Sequence, residues 1–232
     1  MSVFIGYPSF MAYQMMKGKK DNNDGFPSIP GMIARYSALG LTNEQMAANP
    51  VWADKTGNGN DLILSNFGFI EGSGYNEEGE YAGYLVTDGV DDKIISSNFK
   101  FGENYTVVGE WKFLQEASNV SAGFVKNPHY WILYNYKDGI NAYIKADAQG
   151  SLISGVRSIK ASTSKGDIYP DFNSYVKIEP GKRIESQYAL NIAVNSSIFT
   201  KLAFKNLAIY PTVLSKDDCI KAYNYLQTLK AK

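Results

Sequence analysis

The sequence is poor in the residues on which many hydrolases and disulfide-stapled modules depend. Its 232 residues include one cysteine, Cys219, and one histidine, His129. A single cysteine excludes an intrachain disulfide, and the two residues are too few for the usual cysteine and histidine zinc sites. A nucleophile–histidine triad would have to use His129, which follows Pro128 and precedes an aromatic strand pattern. We interpret His129 as a loop or strand-edge residue and Cys219 as a small packed side chain.

An excess of charge of either sign is also missing. The 23 Lys and Arg residues balance the 23 Asp and Glu residues, so the formal net charge is 0. Such a chain has no overall field to attract nucleic acid or a membrane surface, and we predict neither as a partner. The N-terminal segment MSVFIGYPSFMAYQMMKGKK has no leading basic region and no long apolar run. It therefore predicts neither a signal peptide nor a membrane anchor, and we expect any export to use another route, such as cell lysis.

Aromatic residues are abundant, with 17 Tyr and 12 Phe. They favour strands, because they fit a pleated and half-buried surface. From Gly31 onward the chain shows many short strands, without the alternation of strands and helices that a parallel sheet requires. The spacing of apolar residues becomes helical only near the end of the sequence. There Ser215 can cap a helix that carries Tyr223 and Leu226 three residues apart. We predict an all-β fold, a two-sheet antiparallel jelly-roll sandwich with a short C-terminal helix.

Three segments carry more specific expectations for local structure. Thr42–Ala48 predicts a helical turn, with Thr42 as its N-cap and Gln45 at the capping-box spacing. Phe67–Ile70 is expected to be a strand, and Gly72–Gly79 a loop.

Residues 1–30 differ in composition from the remainder of the chain. The apolar stretch Val3–Met16 is rich in Met and Tyr and leads into Lys17–Pro30, a polar tract with Gly and Pro that is typical of a linker. The apolar stretch is either an arm that docks on another subunit or a first strand with its loop. We divide the chain into a segment over residues 1–30 and a sandwich domain over 31–232, and both interpretations of the first segment stay open.

Three segments, taken in order, resemble a known family. Asp54–Asp61 (DKTGNGND) and Asp88–Ile94 (DGVDDKI) resemble turns of concanavalin A-like and laminin-G-like jelly rolls. Phe204–Ser215 resembles the last strand of that family and the start of the helix after it, although Thr212 and Val213 replace a basic residue. The resemblance spans roughly residues 31–232. It implies a jelly-roll module that binds or displays.

A narrower resemblance concerns virion proteins of tailed phages of gut bacteria. It is carried by Pro30–Ser37, Asn66–Phe69 and Gly72–Tyr75, together with the Asp54–Asp61 turn. It implies a structural and adhesive module of a phage fibre, tail or head, located in the virion and homo-oligomeric. Its partners would be other virion subunits, contacted through residues 1–30, and a surface glycan. The alternative is a purely structural decoration protein without a ligand.

One acidic turn is a candidate calcium site. Asp88, Asp91 and Asp92 lie close together in the chain, and oxygen ligands from a short loop suit this ion. The family resemblance implies a metal at such a rim in some members. The alternative is a turn whose Asp side chains satisfy backbone donors. The same alternatives apply to Asp54–Asp61, and calcium is the one cofactor that the sequence suggests.

The candidate sugar-binding residues belong to one predicted hairpin, Tyr130–Tyr136 with Ile140–Ala146. Residues two apart on a strand share a face, so alternate tyrosines there point the same way. Exposed aromatic side chains beside planar polar ones are suited to sugars. The alternative is that these aromatics fill the core of the sandwich. The candidates are Tyr130, Tyr134, Tyr136, Asp138 and Asn141.

No pair of carboxylates has the spacing for glycoside hydrolysis, which usually needs two acids across the sugar. Glu110 is followed by Trp111 and Lys112, with no acid nearby on its face, and the acids of residues 77–80 lie in a Gly-flanked loop. We therefore predict that the chain has no catalytic residues and is not an enzyme. A glycoside hydrolase on a concanavalin-like fold is the least favoured interpretation. Trp52 and Trp111 are predicted to lie in the core.

Overall fold

A computed structural model describes most of the chain from Gly31 onward. The described residues are 31–101, 104–114, 120–126, 130–136, 141–143, 153–154, 158–163, 167–169, 171–173, 176–177, 188–192, 194–195 and 198–229. The segment 1–30, His129 and Asp138 lie outside the described residues. The division of the chain into an arm and a domain therefore stays a prediction.

Strands make up most of the described chain. In chain order they are β1 (Ala34–Ser37), β2 (Val51–Trp52), β3 (Leu62–Ser65), β4 (Gly74–Asn76), β5 (Tyr84–Val86), β6 (Lys93–Phe101), β7 (Thr106–Phe113), β8 (Val120–Lys126), β9 (Tyr130–Tyr136), β10 (Asn141–Tyr143), β11 (Ile153–Ser154), β12 (Ser158–Thr163), β13 (Asp167–Tyr169), β14 (Val176–Lys177), β15 (Tyr188–Ile192), β16 (Val194–Asn195), β17 (Ile198–Phe199) and β18 (Leu202–Tyr210).

These strands form two large antiparallel sheets. Sheet I runs β14-β13-β12-β7-β18-β5-β4, with β1 also paired to β18. Sheet II runs β11-β10-β9-β8-β15-β6-β3-β2, and β16 pairs with β17 in a small separate ribbon. The all-β, two-sheet antiparallel sandwich predicted from the sequence is confirmed, including its short C-terminal helix.

The core lies between the sheets and is rich in aromatic rings. Trp52 of sheet II is fully buried, and its ring centre lies 5.4 Å from that of Tyr36 and 6.2 Å from that of Phe204, both on sheet I. The indole N–H of Trp52 donates to the backbone oxygen of Ser37 at 2.8 Å, so its polar atom is satisfied. Trp111 is also fully buried. The prediction that both tryptophans lie in the core is confirmed.

Two helices accompany the sheets in the described residues, α1 (Asn43–Ala48) and α2 (Lys216–Thr228). As predicted, Thr42 caps α1 and Ser215 caps α2, each accepting a hydrogen bond at 3.2 Å from a backbone N–H three residues on. Cys219 of α2 is fully buried against the outer face of sheet I, and burial raises its pKa to about 12, which confirms its interpretation as a packed side chain. In the part of the chain that is described, neither helix has the length and apolar character needed to cross a membrane.

The region between β3 and β5 departs from the sequence-based expectation. Phe67–Ile70 is not a strand, because Asn66 and Phe69 adopt left-handed backbone angles, with φ of 66° and 51°, that interrupt a ladder. The predicted loop that follows contains the strand Gly74–Asn76, which pairs with β5. A Cβ atom on Gly74 would lie 2.9 Å from the backbone oxygen of Ile70, and the φ of 153° is one that other residues rarely adopt, so glycine is required there.

Candidate functional site

The predicted metal residues form one turn between β5 and β6. Their carboxylate oxygens, one each from Asp88, Asp91 and Asp92, lie within 4.8 Å of one another. One oxygen of Asp88 accepts hydrogen bonds from the backbone N–H groups of Val90, Asp91 and Asp92 at 2.8, 3.2 and 3.3 Å. The first of the three carboxylates therefore holds the turn in its conformation.

Asp92 is the buried member of this turn, with 1% of its surface exposed. Its two carboxylate oxygens accept from the Asp88 backbone N–H at 2.7 Å and from the Ser73 hydroxyl at 3.0 Å. Burial nevertheless raises its pKa to about 6, and the neighbouring Asp88 and Asp91 also raise it. A proton or a cation would offset the free-energy cost of burying a charged Asp92. The backbone hydrogen bonds, however, equally fit a turn that Asp side chains stabilise. The calcium site stays a prediction.

The Asp54–Asp61 turn is also held by its own side chains. Asp54 accepts from the backbone N–H groups of Arg35 at 3.0 Å and Thr56 at 2.9 Å, and Asn60 donates from its side chain to the Ile33 backbone at 2.6 Å. These bonds attach the turn to Arg35 of β1 and to Ile33, the residue before that strand. They match the interpretation in which the polar residues satisfy backbone groups.

The predicted sugar-binding hairpin is present in sheet II. Tyr130, Tyr134 and Tyr136 lie on β9 and Asn141 lies on β10. The two strands pair antiparallel, and Tyr136 is directly opposite Asn141. The hairpin brings two of the predicted residues into adjacent positions near one end of the sheet. Their role in sugar binding, like that of Asp138, stays a prediction.

A row of polar side chains, none of them predicted as a site residue from the sequence, crosses the outer face of sheet I. It comprises Tyr84 on β5, Lys205 on β18, Glu110 on β7 and Lys160 on β12. The pairing of β18 with β7 shifts at Lys205 and Asn206, and the pairing of β12 with β7 shifts at Lys160. Glu110 thus lies at a bulge in the pairing with each neighbouring strand, β18 and β12. Bulges change the direction in which nearby side chains point. Together with Lys112, we call this set the lysine–tyrosine row.

Glu110 is the centre of the row. The Tyr84 hydroxyl donates to one of its carboxylate oxygens, and the Gln227 side chain of α2 donates to the other at 3.4 Å. Burial raises the pKa of Tyr84, and the hydrogen bond to Glu110 raises it further, so this hydroxyl stays protonated and acts as a donor. The ammonium groups of Lys112 and Lys205 lie 5.0 and 5.7 Å from the centre of the same Tyr84 ring.

Lys160 has a similar setting nearer the helix. Its ammonium group lies 4.9 Å from the ring centre of Tyr223 on α2 and 5.9 Å from that of Phe172. Burial raises the pKa of Tyr223 to about 12, and Glu110 adds to the effect. Two of the three lysines of the row thus flank Tyr84, and the third lies beside the helix.

The bulge beside Glu110 depends on a glycine. A Cβ atom on Gly109 would overlap the backbone oxygen of Asn206 in the neighbouring strand. The Asn206 side chain in turn donates to the backbone oxygen of Leu226 at 3.2 Å, which ties the bulge to α2. Gly109, inside a predicted strand, was the one sequence signal that could have located this site, since an isolated glycine in a strand indicates a bulge or a close backbone approach.

Comparison with known proteins defines the fold class. No protein-family model and no curated protein matches the chain. Among solved structures, Trypanosoma rangeli sialidase in complex with sialic acid matches with a TM-score of 0.63 and 11% identity, over 96% of this chain and 40% of the sialidase. The receptor binding domain of botulinum neurotoxin C/D mosaic serotype matches with a TM-score of 0.56 and 13% identity, over 85% of this chain and 51% of that one. The chain thus shares a β-sandwich fold with these proteins and spans about two fifths to one half of their length.

The prediction that the chain is not an enzyme is wrong in the light of this comparison. That prediction rested on the lack of a carboxylate pair, but sialidases use a tyrosine as nucleophile and do not follow the two-carboxylate rule. The solved structures that share this fold include several of Trypanosoma rangeli sialidase. In addition, the described residues hold a tyrosine–carboxylate contact, between Tyr84 and Glu110. At 11% identity the comparison shows the fold alone, so any activity of this chain is a matter for proposal.

Proposed function

We propose that the chain is a carbohydrate-binding module that attaches an extracellular assembly to a surface glycan. The observation that carries the proposal is the register of β9 and β10, which sets Tyr136 opposite Asn141 and Tyr134 opposite Tyr143. An aromatic side chain next to a planar amide offers both an apolar platform and directional hydrogen bonds to a sugar. Support also comes from fold relatives, one of them a receptor binding domain and another a sialidase in complex with sialic acid.

A glycan array followed by titration with the best-bound glycan tests this proposal. Tyr136→Ala and Asn141→Ala should each weaken binding by about ten-fold, because each removes one stacking or hydrogen-bonding contact. Ile63→Ala is the matched control, since Ile63 lies on β3 of the same sheet and is 44% exposed. An array without a bound glycan, or hairpin variants that bind as the control does, would contradict the proposal.

We further propose that the assembly is a phage particle, with the module on a fibre, tail or head. This proposal rests on the sequence resemblance to virion proteins, and residues 1–30 are its attachment segment to other virion subunits. Deletion of residues 1–30 should leave the sandwich folded, with an unchanged glycan affinity, and abolish incorporation into particles. If the shortened chain still enters particles, this part of the proposal fails.

A second candidate function is hydrolysis of a sialic acid glycoside, and the Tyr84–Glu110 contact favours it. Release of free sialic acid from a sialylated oligosaccharide would be measured with the intact chain. Tyr84→Phe and Glu110→Gln should each abolish the release, since each removes one of the two groups in contact. If the intact chain releases no sialic acid, or the variants remain active, this candidate is excluded.

A further inference from the structure

We propose that the lysine–tyrosine row is an anion-binding surface for an acidic sugar, a feature that goes beyond the proposed function. Lys112, Lys160 and Lys205 would hold the carboxylate or sulfate group, and Glu110 and Gln227 would meet the hydroxyl groups. The row lies on sheet I, whereas the β9–β10 hairpin belongs to sheet II. The proposal therefore does not depend on the role of the hairpin.

The lysine–tyrosine row carries more positive than negative charge. The chain as a whole has a formal net charge of 0, but the row combines three lysines with one glutamate. Among the residues that the structure describes, none of these three ammonium groups forms an ion pair with a carboxylate, whereas the ammonium group of Lys221 pairs with Asp218 at 3.1 Å. The row thus carries an excess of positive charge that an anion could neutralise.

The ammonium groups of the row are held in place by aromatic rings. All three lysines are half-buried and lie against aromatic rings rather than in open solvent. A lysine over an aromatic ring gains little, about 0.5–1 kcal/mol at an exposed site, so the ring orients the ammonium group without using up its hydrogen-bond donors. Glu110 forms no ion pair with any of these lysines, and each of its oxygens accepts one hydrogen bond, from Tyr84 or from Gln227, which leaves a lone pair on each for a sugar hydroxyl.

The same features favour a sugar over nucleic acid. Single-stranded nucleic acid is bound through bases stacked on open aromatic faces, but Tyr84 is 5% exposed and lies beside two ammonium groups. A carboxylate such as Glu110 accepts hydrogen bonds from sugar hydroxyls, which the backbone of single-stranded DNA lacks. A ligand that carries both an anionic group and several hydroxyls satisfies all of these groups.

Equilibrium titration of the intact chain at low salt tests the inference. Four probes of similar length would be compared, namely oligosialic acid for the carboxylate, a heparin oligosaccharide for the sulfate, a neutral dextran oligosaccharide, and a single-stranded DNA oligonucleotide. We expect at least one acidic sugar to bind at least about ten-fold more tightly than dextran and DNA. Which of the two binds more tightly identifies the anionic group.

Charge-neutralising variants place the binding on the row. Lys160→Gln and Lys205→Gln should each weaken binding of the acidic sugar roughly five-fold, and added salt should reduce the difference. The control is Lys55→Gln with Lys216→Gln, which removes two charges from exposed lysines elsewhere. Melting temperatures establish that all variants fold. Equal binding by the row variants and the control, equal binding of DNA, or a lack of preference for acidic sugars would overturn the inference. Tyr136→Ala separates the two proposals, because it should leave binding of the acidic sugar at the row unchanged.

Discussion

Among single residues, Asp92 is a carboxylate buried to the point that 1% of its surface is exposed. Burial raises its pKa from 3.8 to about 6, although it accepts hydrogen bonds from Asp88 and Ser73. Between these two pH values the folded chain holds a proton that the unfolded chain has released. The stabilising contribution of protonated Asp92 is therefore complete below about pH 4 and is lost as the pH rises through about 6.

We expect this loss to amount to about 2 kcal/mol in the free energy of unfolding. Urea unfolding of the wild type and of Asp92→Asn, between about pH 4 and about pH 7, measures it, and the difference between the two proteins should change by that amount. Glu78→Gln is the control, because Glu78 is exposed and lies outside this turn. A difference between the wild type and Asp92→Asn that does not vary with pH would show that Asp92 titrates normally.

Calcium gives a second test of the same turn. If the predicted site holds the ion, calcium at millimolar concentration should raise the melting temperature at neutral pH, because the ion neutralises the carboxylates of Asp88, Asp91 and Asp92. Asp91→Asn should remove most of the gain. Calorimetric titration without heat, together with an unchanged melting temperature, would leave the turn with its hydrogen bonds alone.

Gly109 is the residue on which the geometry around Glu110 depends. We expect Gly109→Ala to lower the free energy of unfolding by about 3 kcal/mol, since the added methyl group overlaps the backbone oxygen of Asn206 and the strands must separate. In Gly68→Ala the added carbon meets side-chain atoms of Ile70 and Ser73 at 3.4 and 3.5 Å, so the cost should stay below about 1 kcal/mol. Equal losses in the two variants, measured by urea unfolding, would contradict the close approach of β7 and β18.

At the scale of elements, α2 closes the outer face of sheet I and reaches the lysine–tyrosine row through Tyr223 and Gln227. Its start is fixed by Ser215, whose hydroxyl accepts from the Asp218 backbone N–H and donates to the Asp218 carboxylate at 2.8 Å. We expect Ser215→Ala to cost about 1 kcal/mol of stability by urea unfolding, and Ser215→Thr to cost a few tenths. A loss in Ser215→Thr as large as that in Ser215→Ala would show that the cap hydroxyl has no such role.

The helices and strands that could be predicted from the sequence are those set by interactions between residues close together in the chain. The caps Thr42 and Ser215 act on residues a few positions away, so their patterns predicted both helices. The strand expected at Phe67–Ile70 fails because Asn66, just before it, and Phe69, within it, take left-handed angles. Asparagine tolerates these angles, but the identity of Phe69 gives no such signal. The lysine–tyrosine row was missed because it is created by the register of strands far apart in sequence. In that row, Tyr84 meets a carboxylate 26 residues away, and Gln227 reaches the same group across 117 residues.

At the scale of the whole molecule, the period-two pattern and the turn motifs were sufficient to predict two facing antiparallel sheets. They did not indicate that β18 lies between β7 and β5, an order that places the last strand in the middle of sheet I. This order gives the sandwich an outer face where charged side chains of β7, β12 and β18 converge below α2. The fold class was therefore accessible from sequence, whereas a surface site assembled from four strands was not.

The central claim is that this sandwich binds glycans through defined surfaces. Hydroxyl-radical footprinting of the intact chain, with and without its best-bound glycan, tests that claim over the whole molecule. We expect protection in peptides that contain Tyr134 and Tyr136 for a neutral glycan, and in the peptide that contains the partly exposed Tyr223 for an acidic one. Unchanged reactivity at all three tyrosines in the presence of saturating glycan, or protection confined to other parts of the chain, would contradict the claim.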